Sequence, residues 1–564
     1  MKTILLLICG ALGCIAAIPA AFSAEPSAGK TLFRERCSVC HTAESGDNGG
    51  AQGPSLIGVL GRPAASAPQF SYTQALKESK LTWDAATLKR FLGAPGSVVP
   101  GTSMAVAVPD QAERDNLIAY FQSAATQATP AAAQAIVVPA NSVQSANWRL
   151  DAPGLVHRIS VASLPAPFAT ASSRNSSSVV PKPASATLAV PAGFQIEPFA
   201  TGLAGPRKML VASNGDILVT EMSGGRVTVL HPTPDGRRAG GTDVYLRGLK
   251  QPFGLAFFPN AQNPQWLYVA ETNRVTRYAY QVGDLKPRGE TQIVVPQLPS
   301  GVGHSSRDIA FSPDGKQLFV SVGSGSNVAE TMSKKTPAEI KTWEAAHGLG
   351  AAWDEETNRA AVLVFDAAAP GAPVIFATGI RNCVSLTVQP VNGALWCTTN
   401  ERDALGDDLV PDYSTRVKRG GFYGWPWYYL GSNEDPRLKG DRPDLAGKVS
   451  VPDVLYQAHS ASLSMTFYGA SRGKSAFPPA FVGDAFVGLH GSWNRSLRTG
   501  YKLVRVHMKN GEPTGDYEDF VTGFVVDDAH VWGRPVATTE LPDGSLLMSE
   551  DGGNVVFRIS YAAM

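Results

Sequence analysis

The sequence predicts two folded parts, a small all-α domain followed by an all-β six-bladed propeller. Three observations support this fold class. The chain has 564 residues, which is too long for one ordinary domain. Its N-terminal part carries apolar residues at helical spacing, whereas its long C-terminal part alternates short β-rich runs with Asn-Gly and Asp-Gly turns. Those runs also form an internal repeat of six units.

Changes in composition divide the chain into four segments. We assign them to a signal peptide (1–24), an α domain (25–123), a linker (124–188) and a propeller (189–562). The first segment begins with the charge of Lys2, continues with an apolar run and ends in small residues up to Ala24, as secretory signals do. That run is slightly shorter than a membrane-spanning helix requires. The chain is therefore expected to be periplasmic or secreted, without a transmembrane anchor.

Composition narrows the classes of partner. The net charge of +1 gives no electrostatic reason to expect a nucleic-acid partner. The high counts of Gly (56) and Pro (41) suit a turn-rich β architecture. Cys383 and Cys397 flank a predicted hairpin turn at Asn392-Gly393. In the simplest register Val388 faces Cys397, so the pattern favours two buried thiols, with a disulfide as the alternative.

The α domain and the linker differ in their apolar content. Helical spacing in the α domain is shown by Leu88, Phe91 and Leu92, and near its end by Leu117, Ile118, Tyr120 and Phe121. The linker is rich in Ala, Ser, Pro and Thr and cannot bury much apolar surface. Trp148 and Leu150 within it predict that part of the linker docks on a neighbouring domain.

Six strand–turn–strand units repeat along the propeller segment. They cover residues 208–221, 254–271, 308–322, 384–399, 463–489 and 535–549. Their long, irregular spacing leaves room for the remaining strands of each blade, which predicts six blades. A β-sandwich is the alternative, although roughly 370 residues is large for one sandwich.

The α domain carries a haem-attachment motif. Cys37 and Cys40 are spaced to bind the haem vinyl groups covalently, and His41 follows them as an iron ligand. Met104 is the only methionine between residues 25 and 123, so we predict it as the sixth ligand. A lysine ligand or an open site is the alternative. His/Met ligation raises the reduction potential and suits electron transfer.

Around this motif the domain resembles class I cytochromes c. The matching stretches are 37–41, 53–56 with Gly58, 61–62, Trp83 and 100–104. The resemblance covers nearly all of the α domain and implies one-electron transfer through haem c.

The propeller repeat predicts a site at one end of its channel, where loops enter the inner strands and leave the second strands. The entering residues are Arg207, Gln251, His304, Arg381-Asn382, His459 and Arg534. The leaving residues include Glu221, Asn273, Ser324, Asn400-Glu401-Arg402, Trp493-Asn494-Arg495 and Asp551. Several arginines at one end indicate an anionic ligand with carboxylate groups. His304 is a candidate general base, because imidazole titrates near neutrality.

At these positions the chain resembles the sorbosone dehydrogenases and soluble aldose dehydrogenases, which use pyrroloquinoline quinone (PQQ) and calcium. The matching stretches are 303–308, 379–382, 400–403, 406–412, 420–426, 490–495 and 533–535, within a resemblance that runs from about residue 188 to 561.

The resemblance implies a set of site residues. His304 would act as base, Arg381 would polarise the quinone oxygen, and Asn382 would also contact PQQ. The carboxylates of PQQ would be held by Arg495 and Arg534. Backbone carbonyls near Arg402, Asp403 and Ala404 would hold calcium.

Two positions depart from the glucose-oxidising relatives. Gly303 stands where those proteins have an Asp before the catalytic His, and Ser324 stands where they have an acidic residue. The sorbosone-type relatives are therefore the closer match.

We accordingly expect a PQQ-dependent dehydrogenase of sugars or sugar aldehydes. It would pass electrons to its own haem and then to an external acceptor such as a cytochrome, an oxidase or the quinone pool. The alternative is an electron-transfer cytochrome whose propeller is a non-catalytic binding module.

Overall fold

The computed structural model describes residues 24–37, 41, 43, 53–67, 72–104, 106–126, 147–470 and 472–562. The described residues form two compact units, one holding most of the residues up to 126 and the other holding 147–562 together with 41 and 53. The predicted signal peptide, up to residue 23, and Cys40 lie outside the described residues. Within the described ranges, every helix is too short or too polar to cross a membrane.

The first unit is helical, as predicted. Its helices are α1 (Pro26–Leu32), α2 (Gln74–Glu78), α3 (Ala85–Gly93), α4 (Pro95–Val98) and α5 (Gln111–Thr126), with a π-helical turn at Phe33–Cys37. The Asp84 side chain caps α3 by accepting the Thr87 N–H at 2.7 Å. Gly29 lets α1 pass close to α5, since a Cβ at this position would lie 1.9 Å from the carbonyl oxygen of Asn116.

The core of this unit confirms the apolar spacing seen in the sequence. The buried residues from α3 and α5 include Leu88, Phe91, Leu92, Leu117, Ile118, Tyr120 and Phe121. Trp83 packs on Phe91 with ring centroids 4.9 Å apart. The helices are therefore held together through one apolar face of each.

The second unit is built from strands, numbered here in chain order. The first fifteen are β1 (Val156–Arg158), β2 (Ser178–Val179), β3 (Phe194–Ala200), β4 (Pro206–Val211), β5 (Ile217–Glu221), β6 (Arg226–Pro232), β7 (Ala239–Leu246), β8 (Leu255–Phe258), β9 (Trp266–Glu271), β10 (Arg274–Ala279), β11 (Arg288–Val295), β12 (Ile309–Phe311), β13 (Gln317–Val322), β14 (Ala361–Asp366) and β15 (Val374–Thr378). The remainder are β16 (Cys383–Val388), β17 (Leu395–Thr399), β18 (Pro411–Arg416), β19 (Gly421–Phe422), β20 (Tyr428–Tyr429), β21 (Asn433–Glu434), β22 (Val454–Ala458), β23 (Ser462–Phe467), β24 (Ala485–Leu489), β25 (Lys502–Lys509), β26 (Glu512–Val521), β27 (His530–Val531), β28 (Pro535–Glu540), β29 (Leu546–Glu550) and β30 (Val555–Tyr561). One longer helix, α6 (Pro337–His347), lies between β13 and β14.

These strands form a six-bladed propeller, which confirms the predicted fold class. The first five blades are β4–β7, β8–β11, β12–β15, β16–β18 with β22, and β23–β26. The sixth consists of β28–β30 with β3 as its outer strand, so the N-terminal end of the propeller closes the ring by pairing with its C-terminal end. All six predicted repeat units are the inner hairpins of the blades.

A buried ion pair ties three blades together near the channel axis. Lys208 Nζ lies 2.7 Å from both carboxylate oxygens of Asp308. Asp308 also accepts the Ser385 hydroxyl and the Leu386 N–H. Because these residues belong to the inner parts of the first, third and fourth blades, the pair fixes the positions of the inner strands.

Residues 147–188, which we call the strap, differ from the linker predicted over 124–188. In the strap, β1 adds to the edge of β26 and β2 pairs with β27. The Trp148 N–H donates to the Arg498 carbonyl at 3.0 Å. This Ala- and Ser-rich segment is ordered because strand pairing provides hydrogen-bond partners for its backbone N–H and C=O groups. Amino-acid composition alone does not predict such pairing.

Candidate active site

One end of the channel gathers the residues that the repeat predicted. Inner and second strands are antiparallel, so the start of one lies beside the end of the other, as shown by Cys383 opposite Thr399 and Pro535 opposite Glu550. His304, Arg381 and Arg534 all come shortly before an inner strand, and therefore share that end.

His304 is held by the main chain. Its Nδ1 lies 2.9 Å from the carbonyl oxygen of Ser324 and 3.2 Å from the Ser324 hydroxyl. A carbonyl only accepts hydrogen bonds, so Nδ1 carries the proton and Nε2 keeps its lone pair. Burial and the nearby charge of Arg381 lower the pKa of His304 to about 3. The ring is therefore neutral near pH 7, with Nε2 able to accept a proton.

Two glycines allow this packing. Gly303 has a φ of +68°, and a Cβ there would lie 2.4 Å from the Ser324 carbonyl oxygen. A Cβ on Gly323 would lie 2.7 Å from the Cβ of His304. An aspartate cannot replace Gly303 in this backbone without a shift, and the Ser324 carbonyl provides the orientation of the His304 ring.

Arg381 uses all five of its N–H groups within the protein. Nε donates to the Asn327 carbonyl at 3.2 Å, and Nη1 donates to the carbonyls of Glu401 at 2.7 Å and Asn400 at 3.4 Å. Nη2 donates to Asn327 Oδ1 at 3.0 Å and to Asp403 Oδ2 at 3.1 Å. A quinone oxygen would have to displace one of these acceptors to receive a hydrogen bond from Arg381.

Asp403 joins Arg381 to a second histidine. Its Oδ1 lies 3.5 Å from His459 Nδ1, and His459 Nε2 lies 3.0 Å from the Gly406 carbonyl oxygen. Burial opposes ionisation of Asp403, but Arg381 and His459 hold the pKa of its carboxyl below the usual value. Burial likewise opposes the charge on His459, but Asp403 raises the pKa of that imidazole. The sequence placed His459 at the channel end but did not identify this coupling.

Asn382 presents an unsatisfied acceptor. Its Nδ2 donates to Asn400 Oδ1 at 3.4 Å, while its Oδ1 is buried without a hydrogen-bond partner. A Cβ on Gly323 would lie 2.4 Å from this oxygen, so the Asn382 side chain lies beside Gly323, the same residue that packs against His304. Buried polar atoms are nearly always satisfied in folded proteins, so this oxygen is a candidate contact for a ligand.

Arg495 is attached to the 403–408 loop. Nη1 donates to the Asp407 carbonyl at 2.5 Å, and Nη2 pairs with Asp408 Oδ1 at 2.5 Å. Its Nε is buried without a partner. This arginine is thus anchored on one side and retains one unused donor.

Arg534 belongs to a different cluster, centred on Asp551. The Asp551 carboxylate lies 2.8 Å from Arg207 Nη2 and 2.7 Å from His490 Nε2. Burial, followed by the charge of Arg534, lowers the pKa of His490 to about 4, while Arg207 and His490 hold the pKa of Asp551 far below its usual value. The Nε atoms of Arg207 and Arg534 are buried without partners. His490 was not predicted as a site residue, although its position directly after β24 is a signal that could have identified it.

The residues expected near calcium fit that role only in part. The Asp403 carbonyl accepts hydrogen bonds from Asn327 Nδ2 at 3.2 Å and Arg437 Nη1 at 2.9 Å, which occupies both of its lone pairs. The Arg402 side chain is fully buried and paired with Glu401 and Asp435. The Asp403 carbonyl therefore does not fit as a calcium ligand.

The residues predicted to bind haem are partly described. Cys37 is buried in the core of its unit. Gly53 packs on the His41 imidazole, since a Cβ there would lie 2.3 Å from Cε1. Met104 is half-buried and packs against the core of its unit. Their roles as attachment thiol and iron ligands stay a prediction, and Cys40 lies outside the described residues.

Cys383 and Cys397 form a disulfide, which corrects the expectation of two thiols. Leu386, not Val388, faces Cys397. The register differs by two residues from the simplest one, and a bulge between Cys383 and Ser385 shifts Cys383 along its partner strand. The disulfide links the strand that follows Arg381-Asn382 to the strand that precedes the 400–403 segment.

Comparison with known proteins assigns the propeller. The profile of the TrAA12-like family matches residues 188–413 and 444–559, more than half of the chain. The chain belongs to the TrAA12-like family. A second profile, cytochrome c, matches residues 26–125. Cytochrome c2 of Rhodoblastus acidophilus is 45% identical over 98 residues, which cover 17% of this chain and 90% of that protein.

Solved structures share the fold of this TrAA12-like propeller. The holo PQQ domain of pyranose dehydrogenase from Coprinopsis cinerea superposes with a TM-score of 0.54 at 19% identity, covering 67% of this chain and 98% of that chain. A calcium structure of a Trichoderma reesei family AA12 carbohydrate-active enzyme gives a TM-score of 0.53 at 20% identity, covering 68% and 98%. The prediction of a cytochrome c domain followed by a six-bladed propeller is thus confirmed, whereas the sorbosone assignment stays a prediction.

Proposed function

We propose that this TrAA12-like protein is a periplasmic or secreted quinohaemoprotein dehydrogenase. It oxidises a sugar or sugar aldehyde with PQQ, passes the electrons to its own c-type haem, and delivers them to an external acceptor. Fold similarity to the PQQ domain of a pyranose dehydrogenase supports this class of cofactor and substrate.

The observation that carries the proposal is a set of unsatisfied polar groups at one channel end. The Nε atoms of Arg207, Arg495 and Arg534 and the Oδ1 of Asn382 are all buried without partners. Cationic N–H donors of this kind bind carboxylates strongly. PQQ is a quinone that carries carboxylates, so its chemistry fits a site in which the buried Nε atoms of three arginines retain unused donors.

His304 supplies the proton acceptor. Oxidation of an alcohol carbon to a carbonyl removes two electrons and two protons in total, as a hydride and a hydroxyl proton. Bound PQQ supplies the acceptor for the hydride. Nε2 of His304 takes the hydroxyl proton, because Nδ1 is committed to the Ser324 carbonyl. The lowered pKa keeps this nitrogen unprotonated before each turnover, but it also makes the imidazole a weaker base than the sequence suggests, so transfer of the hydroxyl proton must accompany departure of the hydride.

Arg381 has an electrostatic role in this proposal. Its positive charge lies close enough to His304 to lower the pKa of the imidazole, and all of its N–H groups are engaged by protein atoms. It therefore holds the 400–403 segment in place and contributes a fixed positive charge. The carbonyls of Arg402 and Ala404 are the remaining calcium contacts from the sequence prediction.

The cytochrome c domain supplies the exit for electrons. Each substrate would yield two electrons, and a haem c held by this domain would accept them one at a time. His41 and Met104 are proposed as the iron ligands.

Reconstitution with PQQ and calcium tests the proposal. Purified protein is titrated with PQQ, with and without calcium, and binding is followed by PQQ absorbance under conditions where the haem is oxidised. Aldoses and sorbosone are then added anaerobically, and haem reduction is recorded. We expect binding and substrate-dependent reduction. Absence of both would refute the enzyme proposal, and binding without reduction by any sugar would favour the non-catalytic binding module.

A further inference from the structure

Strap residues 147–187 lie outside both family profiles, which match residues 26–125, 188–413 and 444–559. It is nevertheless packed against two loops of the candidate site. One is the 403–408 loop, whose first residue, Asp403, pairs with Arg381. The other is the 493–498 loop, which contains Arg495. A segment that the family profile does not include therefore contacts the part of the propeller where we place the cofactor.

The strap holds the 403–408 loop by hydrogen bonds to the backbone of that loop. The Phe168 N–H donates to the Leu405 carbonyl at 2.8 Å, and the Asp407 N–H donates to Thr170 Oγ1 at 2.8 Å. Gly406 has a φ of +112°, and a Cβ there would lie 3.0 Å from Thr170 Oγ1. The loop and the strap are thus in close contact over three consecutive loop residues.

Apolar contacts support the same loop. Ile159, Val161 and Leu164 of the strap pack against a buried cluster that includes Leu405 and Leu409. Burial of these side chains stabilises the strap on the propeller by the hydrophobic effect. The strap segment that carries Thr170 is therefore held by apolar packing as well as by its hydrogen bond to Asp407.

The strap also holds the 493–498 loop. The Asn175 N–H donates to the Trp493 carbonyl at 2.6 Å, and Asn175 Nδ2 donates to the Ser496 carbonyl at 3.0 Å. Arg498, fully buried, donates to the Asn175 carbonyl at 2.7 Å and to its Oδ1 at 2.9 Å.

Asn494 connects all three segments. Its Nδ2 donates to the Ser173 carbonyl of the strap at 2.7 Å, and its Oδ1 accepts the Ala404 N–H at 2.9 Å. The next residue, Arg495, donates to the Asp407 carbonyl. The position of Arg495 relative to the 403–408 loop therefore depends on a network whose third member is the strap.

We propose that strap residues 168–175 are a positioning element for the cofactor site. They fix the 403–408 and 493–498 loops relative to each other and so place Arg495 to bind a carboxylate of the quinone. Thr170 and Asn494 are the positioning residues, since they act through the loops. This inference rests on the proposed function, because it concerns the same site.

The test compares PQQ affinities of full-length variants. Thr170→Val keeps the side-chain shape but removes the acceptor for Asp407 N–H, and Thr170→Ser restores it. Asn494→Asp keeps the acceptor for Ala404 N–H but removes the donor to Ser173. Arg158→Ala is the control in the strap, because the exposed Arg158 side chain pairs with Asp516 of β26, which belongs to neither loop. Thermal unfolding and the haem spectrum are recorded for every variant.

We expect Thr170→Val and Asn494→Asp to bind PQQ about tenfold more weakly, which is the effect of losing one hydrogen bond to a constrained site. Thr170→Ser and Arg158→Ala should bind as the wild type does. In steady state, Thr170→Val should need more PQQ for half-saturation while its rate at saturating PQQ stays near that of the wild type.

The outcomes separate the two hypotheses. If the wild type, Thr170→Val and Asn494→Asp all bind PQQ equally well, the positioning role is wrong and the proposed function stands. If the wild type does not bind PQQ, the proposed function itself fails. If Thr170→Val unfolds, Asn494→Asp decides the matter by the same comparison.

Discussion

The Nδ1 of His304 lies 2.9 Å from the carbonyl oxygen of Ser324, so a backbone group sets the tautomer of the candidate base. Side-chain changes at residue 324 leave this acceptor in place. The arrangement depends on two neighbouring glycines, Gly303 and Gly323, which leave no space for a Cβ. The His304 ring is therefore oriented by the fold of the chain itself, and this leads to the first prediction.

Replacing His304 should abolish turnover without affecting the haem. In His304→Ala, we expect substrate-dependent haem reduction to slow by about 100-fold or more, since a positioned base contributes that much. Anaerobic stopped-flow measurement of haem absorbance checks the rate, and the haem spectrum should be unchanged. Ser324→Ala is the control, because it keeps the carbonyl and should retain most of the activity. An unchanged rate in His304→Ala would remove this residue as the base.

The low pKa of His304 predicts a pH dependence of stability. A histidine in the unfolded chain has a pKa of about 6.5, whereas the folded-state pKa is lowered to about 3. The unfolded state thus binds more protons between these values, so the contribution of His304 to stability is full above pH 6.5 and is lost as pH falls towards 3. Urea unfolding at pH 7 and pH 5 should show a larger loss in the wild type than in His304→Gln. Equal losses would contradict the assignment.

The buried Lys208–Asp308 pair should matter far more than an exposed one. Lys208→Met leaves Asp308 buried beside the channel without its cation, and we expect a loss of about 3–5 kcal/mol in the free energy of unfolding. Lys316→Met is the matched control, because Lys316 and Asp314 are largely exposed and 3.8 Å apart, and it should change stability by less than about 1 kcal/mol. Guanidinium titration gives both values, and equal effects would show that the buried pair does not anchor the inner strands.

The Cys383–Cys397 disulfide can be tested by chemistry and by stability. Alkylation of the denatured protein without reductant should leave both residues unlabelled, and mass spectrometry of the peptides checks this. The Cys383→Ser/Cys397→Ser variant should lose about 3 kcal/mol, the value for a loop of this length. Labelling of both thiols in the untreated protein would restore the sequence expectation of free cysteines.

Met104 should set the reduction potential of the haem. Loss of a thioether ligand lowers the potential of a His/Met haem, so Met104→Ala should show a lower midpoint in a spectroelectrochemical titration. Met332→Ala, in the propeller, is the control and should titrate as the wild type does. An unchanged midpoint in Met104→Ala would favour a lysine ligand or an open site.

Some features of this protein are determined by the sequence alone because they are local or repetitive. The spacing of Cys37, Cys40 and His41 identifies covalent haem, since the motif itself is the attachment site. The six strand–turn–strand units specify the propeller, because each blade repeats the same hairpin. The repeat also places His304, Arg381 and Arg534 at one end of the channel.

Other features were decided only by the tertiary structure. The pairing of Cys383 with Cys397 depends on a bulge in the strand register, which residue order does not specify. The N–H groups of Arg381 are all hydrogen-bonded only because Asn327, which is 54 residues away in the chain, accepts two of them. Docking of the strap depends on hydrogen bonds to loops more than 200 residues away, such as that from the Asp407 N–H to the Thr170 hydroxyl. Each of these contacts joins distant parts of the chain, and their energies depend on geometry that exists only once the propeller has closed.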